Sequence, residues 1–159
     1  MWEAGGTDLS EDLAPHDGLG NWPVSCIIPV QWGDMDAFNH VNHTVFLTWM
    51  ETARMHYFEL CGIVEMLEKE GIGPILAGLK ADYSAPVEFP DKVTVRTTVS
   101  RLGSSSFDMD YTVTSESKGD KEVAKARIFC VIYDYNKGKP TQIPEAIEKR
   151  ILEIETLPN

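Results

Sequence analysis

Two acids and two imidazoles crowd into the stretch Trp32-Gly33-Asp34-Met35-Asp36-Ala37-Phe38-Asn39-His40-Val41-Asn42-His43, just ahead of an apolar-periodic run. Carboxylates and imidazoles are the groups that move protons or attack an electrophilic carbon near neutral pH. Asn42 is a natural helix N-cap, so residues from His43 onward would present backbone N–H groups with no helical partner, at the positive end of the helix dipole. A carboxylate beside free amides can attack a carbonyl and stabilise the oxyanion that forms.

The elements that must hold this stretch are legible on either side of it. Upstream, Ser25-Cys26-Ile27-Ile28-Pro29-Val30-Gln31-Trp32 has the β-branched and aromatic content of a strand, and Pro29 pushes it to a sheet edge or a bulge. Downstream, Phe46, Trp49, Met50, Ala53, Tyr57 and Leu60 fall at spacings of three and four, predicting a helix from His43 to Cys61 that Gly62 stops. At about 1.5 Å per residue it would run roughly 28 Å, enough to cross a small domain. Met55 and Phe58 join these residues as core by spacing, with some members free to line a tunnel beside the helix.

A short helix is expected over Ile63 to Lys69, ended by Gly71. After Pro74 the pattern changes to strands, Ile75–Phe89, Val93–Arg101, Phe107–Thr114 and Val123–Asp134, separated by turn signals. Period two is clear in Val93, Val95, Thr97 and Val99, and again in Phe107, Met109, Tyr111 and Val113. Beyond the Asn136-Lys137-Gly138 turn, Pro144 suits the first position of a helix with Ile147, Ile151 and Ile154 on one side. One long helix followed by a meander of long strands predicts an α+β domain in which a curved antiparallel sheet wraps the helix. Residues 23–159 would form this domain, with residues 1–22 as a flexible acidic extension. An exposed edge of such a sheet is usually paired, which favours a homo-oligomer.

With 159 residues the chain is expected to hold a single core, and its net charge of −11 opposes binding to nucleic acid or anionic membranes. No window approaches the roughly 18 to 20 apolar residues of a membrane span, and residues 1–22 lack the basic flank of a targeting peptide, so a cytoplasmic location is expected. Cys26, Cys61 and Cys130 are far apart and form no CxxC pair, and we assign all three as structural.

With these features the chain resembles the hotdog-fold acyl-CoA thioesterases, the 4-hydroxybenzoyl-CoA and long-chain acyl-CoA thioesterase group. Their signature of Asp-x-Asp, then His-Val-Asn, then a long helix is matched by Asp34, Asp36, His40, Val41 and Asn42. The resemblance covers about Pro23 to Ile154, including the Arg101-Leu102-Gly103-Ser104-Ser105-Ser106-Phe107 hairpin. It implies a hotdog fold, dimers or tetramers with the active site at the subunit interface, an acyl-CoA substrate, no cofactor, and Asp36 as the catalytic carboxylate.

The chemistry of the residues fits what the resemblance implies. A thioester carbonyl is weakly resonance-stabilised and its thiolate leaves readily, so hydrolysis needs little beyond a base or nucleophile and a site for negative charge. Asp36 would supply the first and the amide of His43, aligned with the family pattern, the second. The family often has Gly where Asn39 stands and Asn where His43 stands; Asn tolerates positive φ, so the turn is preserved. The His43 side chain is either neutral to function or a substrate contact. Asp34, His40 and Asn42 are assigned to shaping the site, Asp34 by steadying the turn and Asn42 by capping.

A divalent metal held by Asp34, Asp36, His40 and His43 is not expected, because His-x-x-His across a non-helical turn lacks regular ligand geometry. Arg101 with Ser104 and Ser105 is the candidate contact for the CoA phosphates, with Lys80 and Arg127 as alternatives. Two competing functions keep the fold: a thioesterase acting on acyl-carrier protein, disfavoured by acid meeting acid, and a non-catalytic acyl-CoA-binding protein.

Overall fold

Alternation of apolar and polar residues gives five long strands, and the computed structural model describes them within residues 22–156. The expected acidic extension, residues 1–22, lies outside the described residues apart from Trp22. In chain order the elements are β1 (Val24–Pro29), α1 (His43–Cys61), α2 (Ile63–Glu70), β2 (Ile72–Tyr83), β3 (Lys92–Leu102), β4 (Ser106–Ser115), β5 (Lys121–Asp134), β6 (Lys139–Pro140) and α3 (Glu145–Thr156). All pairings are antiparallel, in the order β1-β3-β4-β5-β2, with β6 added to the end of β5.

The sheet curls around α1 because both contribute an apolar face to one core. Phe46, Met50, Ala53 and Tyr57 of the helix share that core with Val93 and Val95 of β3, Phe107, Met109, Tyr111 and Val113 of β4, and Ile128 of β5. Asn42 caps α1 with its side chain, and Gly62 closes it at φ 86°, a conformation that costs a β-carbon-bearing residue about 1–2 kcal/mol. The helix boundaries therefore coincide with those expected from its caps.

Three expectations need correction. Leu60 is 51% exposed and Met55 is also exposed, while Phe58 and Cys61 are buried. Leu60 lies on the α1 flank beside the end of β1, where the sheet has no further strand to cover it. The second strand begins three residues earlier than expected and stops at Tyr83 rather than Phe89. Pro86 has no N–H to give a ladder, the Ser84 and Ala85 amides both turn to the Val123 carbonyl, and the Val87 carbonyl is taken by the amide of Val41. The first strand ends at Pro29, and Trp32–Asp34 forms a single 3₁₀ turn instead of extending it.

α3 is fastened by one carboxylate. Glu155 accepts the Tyr57 hydroxyl at 2.6 Å, the Thr98 hydroxyl at 2.6 Å and the Val99 amide at 2.7 Å, joining α3 to both α1 and β3. Tyr57 and Thr98 are buried, so losing their acceptor leaves two hydroxyls unsatisfied. Glu155→Ala is expected to lower stability by about 3 kcal/mol, read as a shifted midpoint in urea unfolding. An unchanged midpoint would show that water replaces the carboxylate freely.

β2 pairs only with β5, leaving its other side an open edge. Its residues on the helix side of the sheet, Leu76, Leu79 and Tyr83, remain exposed. No helix among the described residues is long and apolar enough to cross a membrane.

Candidate active site

The loop between β1 and α1 is held at both ends by backbone hydrogen bonds. Val30 donates to the Asp91 carbonyl at 2.9 Å, Val41 to Val87 at 2.8 Å, and Asn42 to Asp34 at 3.0 Å. Within it, Asn39 donates to the Asp36 carbonyl at 3.0 Å and Asp36 to the His40 carbonyl at 3.0 Å, closing a turn. That turn requires Asn39 at φ 60°, the left-handed region where Asn stands in for Gly at low cost.

The two acids point differently. The Asp34 carboxylate folds back to accept the Gln31 amide at 2.8 Å, which ties down the 3₁₀ turn. The Asp36 carboxylate accepts the Phe38 amide at 2.9 Å through Oδ1, while its Oδ2 lies 3.5 Å from the Asn42 side-chain nitrogen. Asn42 uses its other side-chain atom to accept the Thr44 amide at 2.9 Å and the Thr44 hydroxyl at 2.8 Å. One side chain therefore caps the helix and orients the acid.

Asn42 also accepts the Val45 amide at 2.9 Å through its carbonyl, so the second and third amides of α1 are occupied. The first, that of His43, has no acceptor among the described residues. It sits on a pocket of about 330 Å³ lined by His40, Val41, His43, Phe46 and the Tyr83–Pro86 segment. The Tyr83 ring meets His43 edge-on at 6.3 Å and Phe46 at 5.2 Å, and its hydroxyl donates to the His43 carbonyl at 3.5 Å. Burial pushes the Tyr83 phenol above its ordinary pKa, so it remains a donor. His40 is exposed and stands 3.7 Å from Glu88.

The wall of this pocket was not visible in the sequence. Tyr83 is the last residue of the ladder and reaches α1 from the helix side of the sheet, whereas Pro86 falls inside what the alternation pattern marks as strand and comes to the pocket only because the ladder breaks after Tyr83. Among the described residues no group of three or more His, Cys, Asp and Glu could hold a metal ion.

Arg101, Ser104 and Ser105 lie elsewhere. The Arg101 guanidinium grips Asp108 with two bonds of 2.8 and 2.6 Å, and Arg127 grips Asp110 with bonds of 2.6 and 2.9 Å. Ser104 and Ser105 accept the Ile143 and Ile132 amides through their carbonyls. This hairpin occupies the end of β3 remote from Asp91 and the Asp36 loop, about 30 Å along the strand at about 3.3 Å per residue. Within one chain the two groups are not brought together. Lys80 stands opposite Arg127 in the ladder.

All three cysteines are buried. Burial pushes Cys61 up to about 11 and Cys130 up to about 12. Cys26 lies 3.1 Å from Nδ1 of His56, yet burial raises its pKa as well, so no thiolate nucleophile is prepared at neutral pH.

Comparison with known proteins adds three findings. The family model described as the thioesterase-like superfamily matches residues 30–151. The long-chain acyl-CoA thioesterase FadM of Escherichia coli strain K12 is 23% identical over 124 residues, 78% of this chain and 93% of that protein. Among solved structures, a thioesterase complexed with coenzyme A and Zn from Thermus thermophilus is 33% identical, with a TM-score of 0.75 over 86% of this chain and 97% of that one. The PA2801 protein, a putative thioesterase from Pseudomonas aeruginosa, is 30% identical, with a TM-score of 0.71 over 80% of this chain and 97% of that one.

Proposed function

Because this chain belongs to the thioesterase-like superfamily and is a hotdog-fold thioester hydrolase, we propose that it cleaves an acyl-CoA to the free acid and CoA, with Asp36 as nucleophile or general base and the His43 amide as oxyanion donor. The observation that carries this reading is the pairing, through Asn42, of an oriented carboxylate with an unoccupied helix-terminal amide beside a pocket.

The carboxylate acts in one of two balanced ways. Asp36 attacks the carbonyl carbon, the C–S bond breaks, the thiolate takes a proton from water, and a second water opens the resulting anhydride. Alternatively Asp36 removes a proton from water as that water attacks, and the same thiolate leaves. Either way the carbonyl oxygen becomes negative, and a positioned backbone N–H there is worth about 3 kcal/mol of barrier. The pocket walls, Phe46 and Tyr83, supply apolar surface to the acyl group.

A homodimer formed across the open β2 edge fits this site. Antiparallel pairing of two β2 edges would carry one subunit's Leu76 end, and with it that subunit's β3–β4 hairpin, to its partner's Tyr83 end. The acyl-CoA contact assigned to Arg101, Ser104 and Ser105 then becomes one made across the interface. Three cysteines with no disulfide are suited to a reducing compartment such as the cytoplasm.

The test is hydrolysis of an acyl-CoA panel, with released thiol detected by a disulfide reagent, run beside the same acyl groups on a carrier protein. Thiol release from CoA substrates is expected to exceed that from the carrier. Saturable acyl-CoA binding without thiol release over hours would leave a binding protein instead.

A further inference from the structure

Two imidazoles line the pocket, and the hydrolysis described above uses neither ring. His43 meets Tyr83 edge-on and has no ion-pair partner among the described residues. His40 differs, because its Nε2 stands 3.7 Å from Oε1 of Glu88. The two side chains are 47% and 61% exposed, so solvent screening leaves the pair little to add to stability.

Backbone bonds fix where this pair stands. The peptide unit joining His40 to Val41 is held on both sides: its carbonyl accepts the Asp36 amide at 3.0 Å, and its N–H donates to the Val87 carbonyl at 2.8 Å. His40 is thereby tied to the candidate acid, while Glu88 directly follows the residue that holds Val41. The Asn42 amide, bonded to the Asp34 carbonyl at 3.0 Å, and the bridge between Met35 and Val41 extend the same clamp. An imidazole is thus placed in the wall of the pocket beside the His43 amide, with a carboxylate set against it.

Resting on the acyl-CoA reading above, we propose that His40 is the acid that protonates the departing CoA sulfur, with Glu88 as the residue that positions its ring. Glu88 takes Nε2 and leaves Nδ1 for the substrate, since a carboxylate on one ring nitrogen fixes how the other is presented. As the C–S bond breaks, its electron pair goes to sulfur and the imidazolium gives that sulfur its Nδ1 proton. The neutral ring then recovers a proton from the water that attacks the acyl group. The proton that water supplies to the thiolate thus passes through His40, and no further reactant is needed. An alkyl thiol is a weak acid, with a pKa of about 8.5 in the case of Cys, and its departure gains from a proton donor. An electron-poor aryl thiolate leaves well without one.

The experiment joins each acyl group of the panel to three thiols, CoA, N-acetylcysteamine and 4-nitrothiophenol, and measures kcat/KM in the wild type, His40→Gln, Glu88→Gln and Glu88→Asp. N-acetylcysteamine keeps the alkyl thiol of CoA without its nucleotide. His40→Gln is expected to lose about a hundredfold on both alkyl thioesters, the low end for a placed acid because a thiolate already leaves readily, and little on the aryl one. Glu88→Gln should follow the same pattern with a several-fold loss, of which Glu88→Asp recovers part. A loss on acyl-CoA alone would make His40 a contact for the nucleotide portion, and equal losses on all three thioesters would make it structural. Either result, or an unchanged His40→Gln, overturns the role of His40 while the acyl-CoA reading stands. An unchanged Glu88→Gln overturns the positioning role of Glu88. A wild type that cleaves none of the three overturns the acyl-CoA reading, and this role with it.

Discussion

Asp36→Asn is expected to lower kcat about a thousandfold, equivalent to about 4 kcal/mol of barrier, with the melting temperature nearly unchanged. The amide that replaces the carboxylate can still accept the Phe38 N–H, which holds the residue at 2.9 Å, so the turn survives. What disappears is the negative charge, and with it both the power to attack carbon and the power to take a proton from water. Because the two routes fail together, the loss belongs to kcat, and KM for the acyl-CoA should move little. A variant retaining wild-type turnover would remove Asp36 from the mechanism, whatever its neighbours do.

His43→Pro is the second large effect, and it separates the oxyanion donor from everything else about the residue. Proline is favoured at the first position of a helix, where its missing N–H breaks no helical bond. Asn42 already has φ −63° and ψ 141°, the extended conformation that a residue before proline prefers. The substitution therefore deletes the amide while sparing α1, and kcat is expected to fall about a hundredfold to a thousandfold at constant stability. His43→Ala keeps the amide and removes only the exposed ring that meets Tyr83. Activity within a few-fold of wild type in His43→Ala would assign the residue's role to its backbone, and a matching large loss in both variants would assign it to the imidazole.

The assembly of the site explains why these substitutions can be so specific. Backbone bonds from Val30 and Val41 to Asp91 and Val87 of the β2–β3 connection, and from Asn42 to Asp34 within the loop, hold it in place, so neither variant removes a support. Asn42 is the exception, since it caps α1 and faces Asp36 with the same side chain.

Local rules were enough for the order of the elements, the ends of α1, the inward residues of β3 and β4, and the clustering of Asp36 with the start of the helix. Each of these follows from short-range physics: a side chain that caps, a glycine that stops, an alternation that sorts faces, and a family motif compact in sequence. The tertiary structure alone decided what happens where distant segments meet. Leu60 has helical spacing but no strand to cover it, while Phe58 is buried against Phe107 because the sheet reaches that flank. Residues 84–89 alternate like a strand, yet they leave the ladder because Val87 is claimed by Val41. Caps and periods are set by neighbours a few residues away, whereas burial and pairing are set by chain segments whose approach no local pattern encodes.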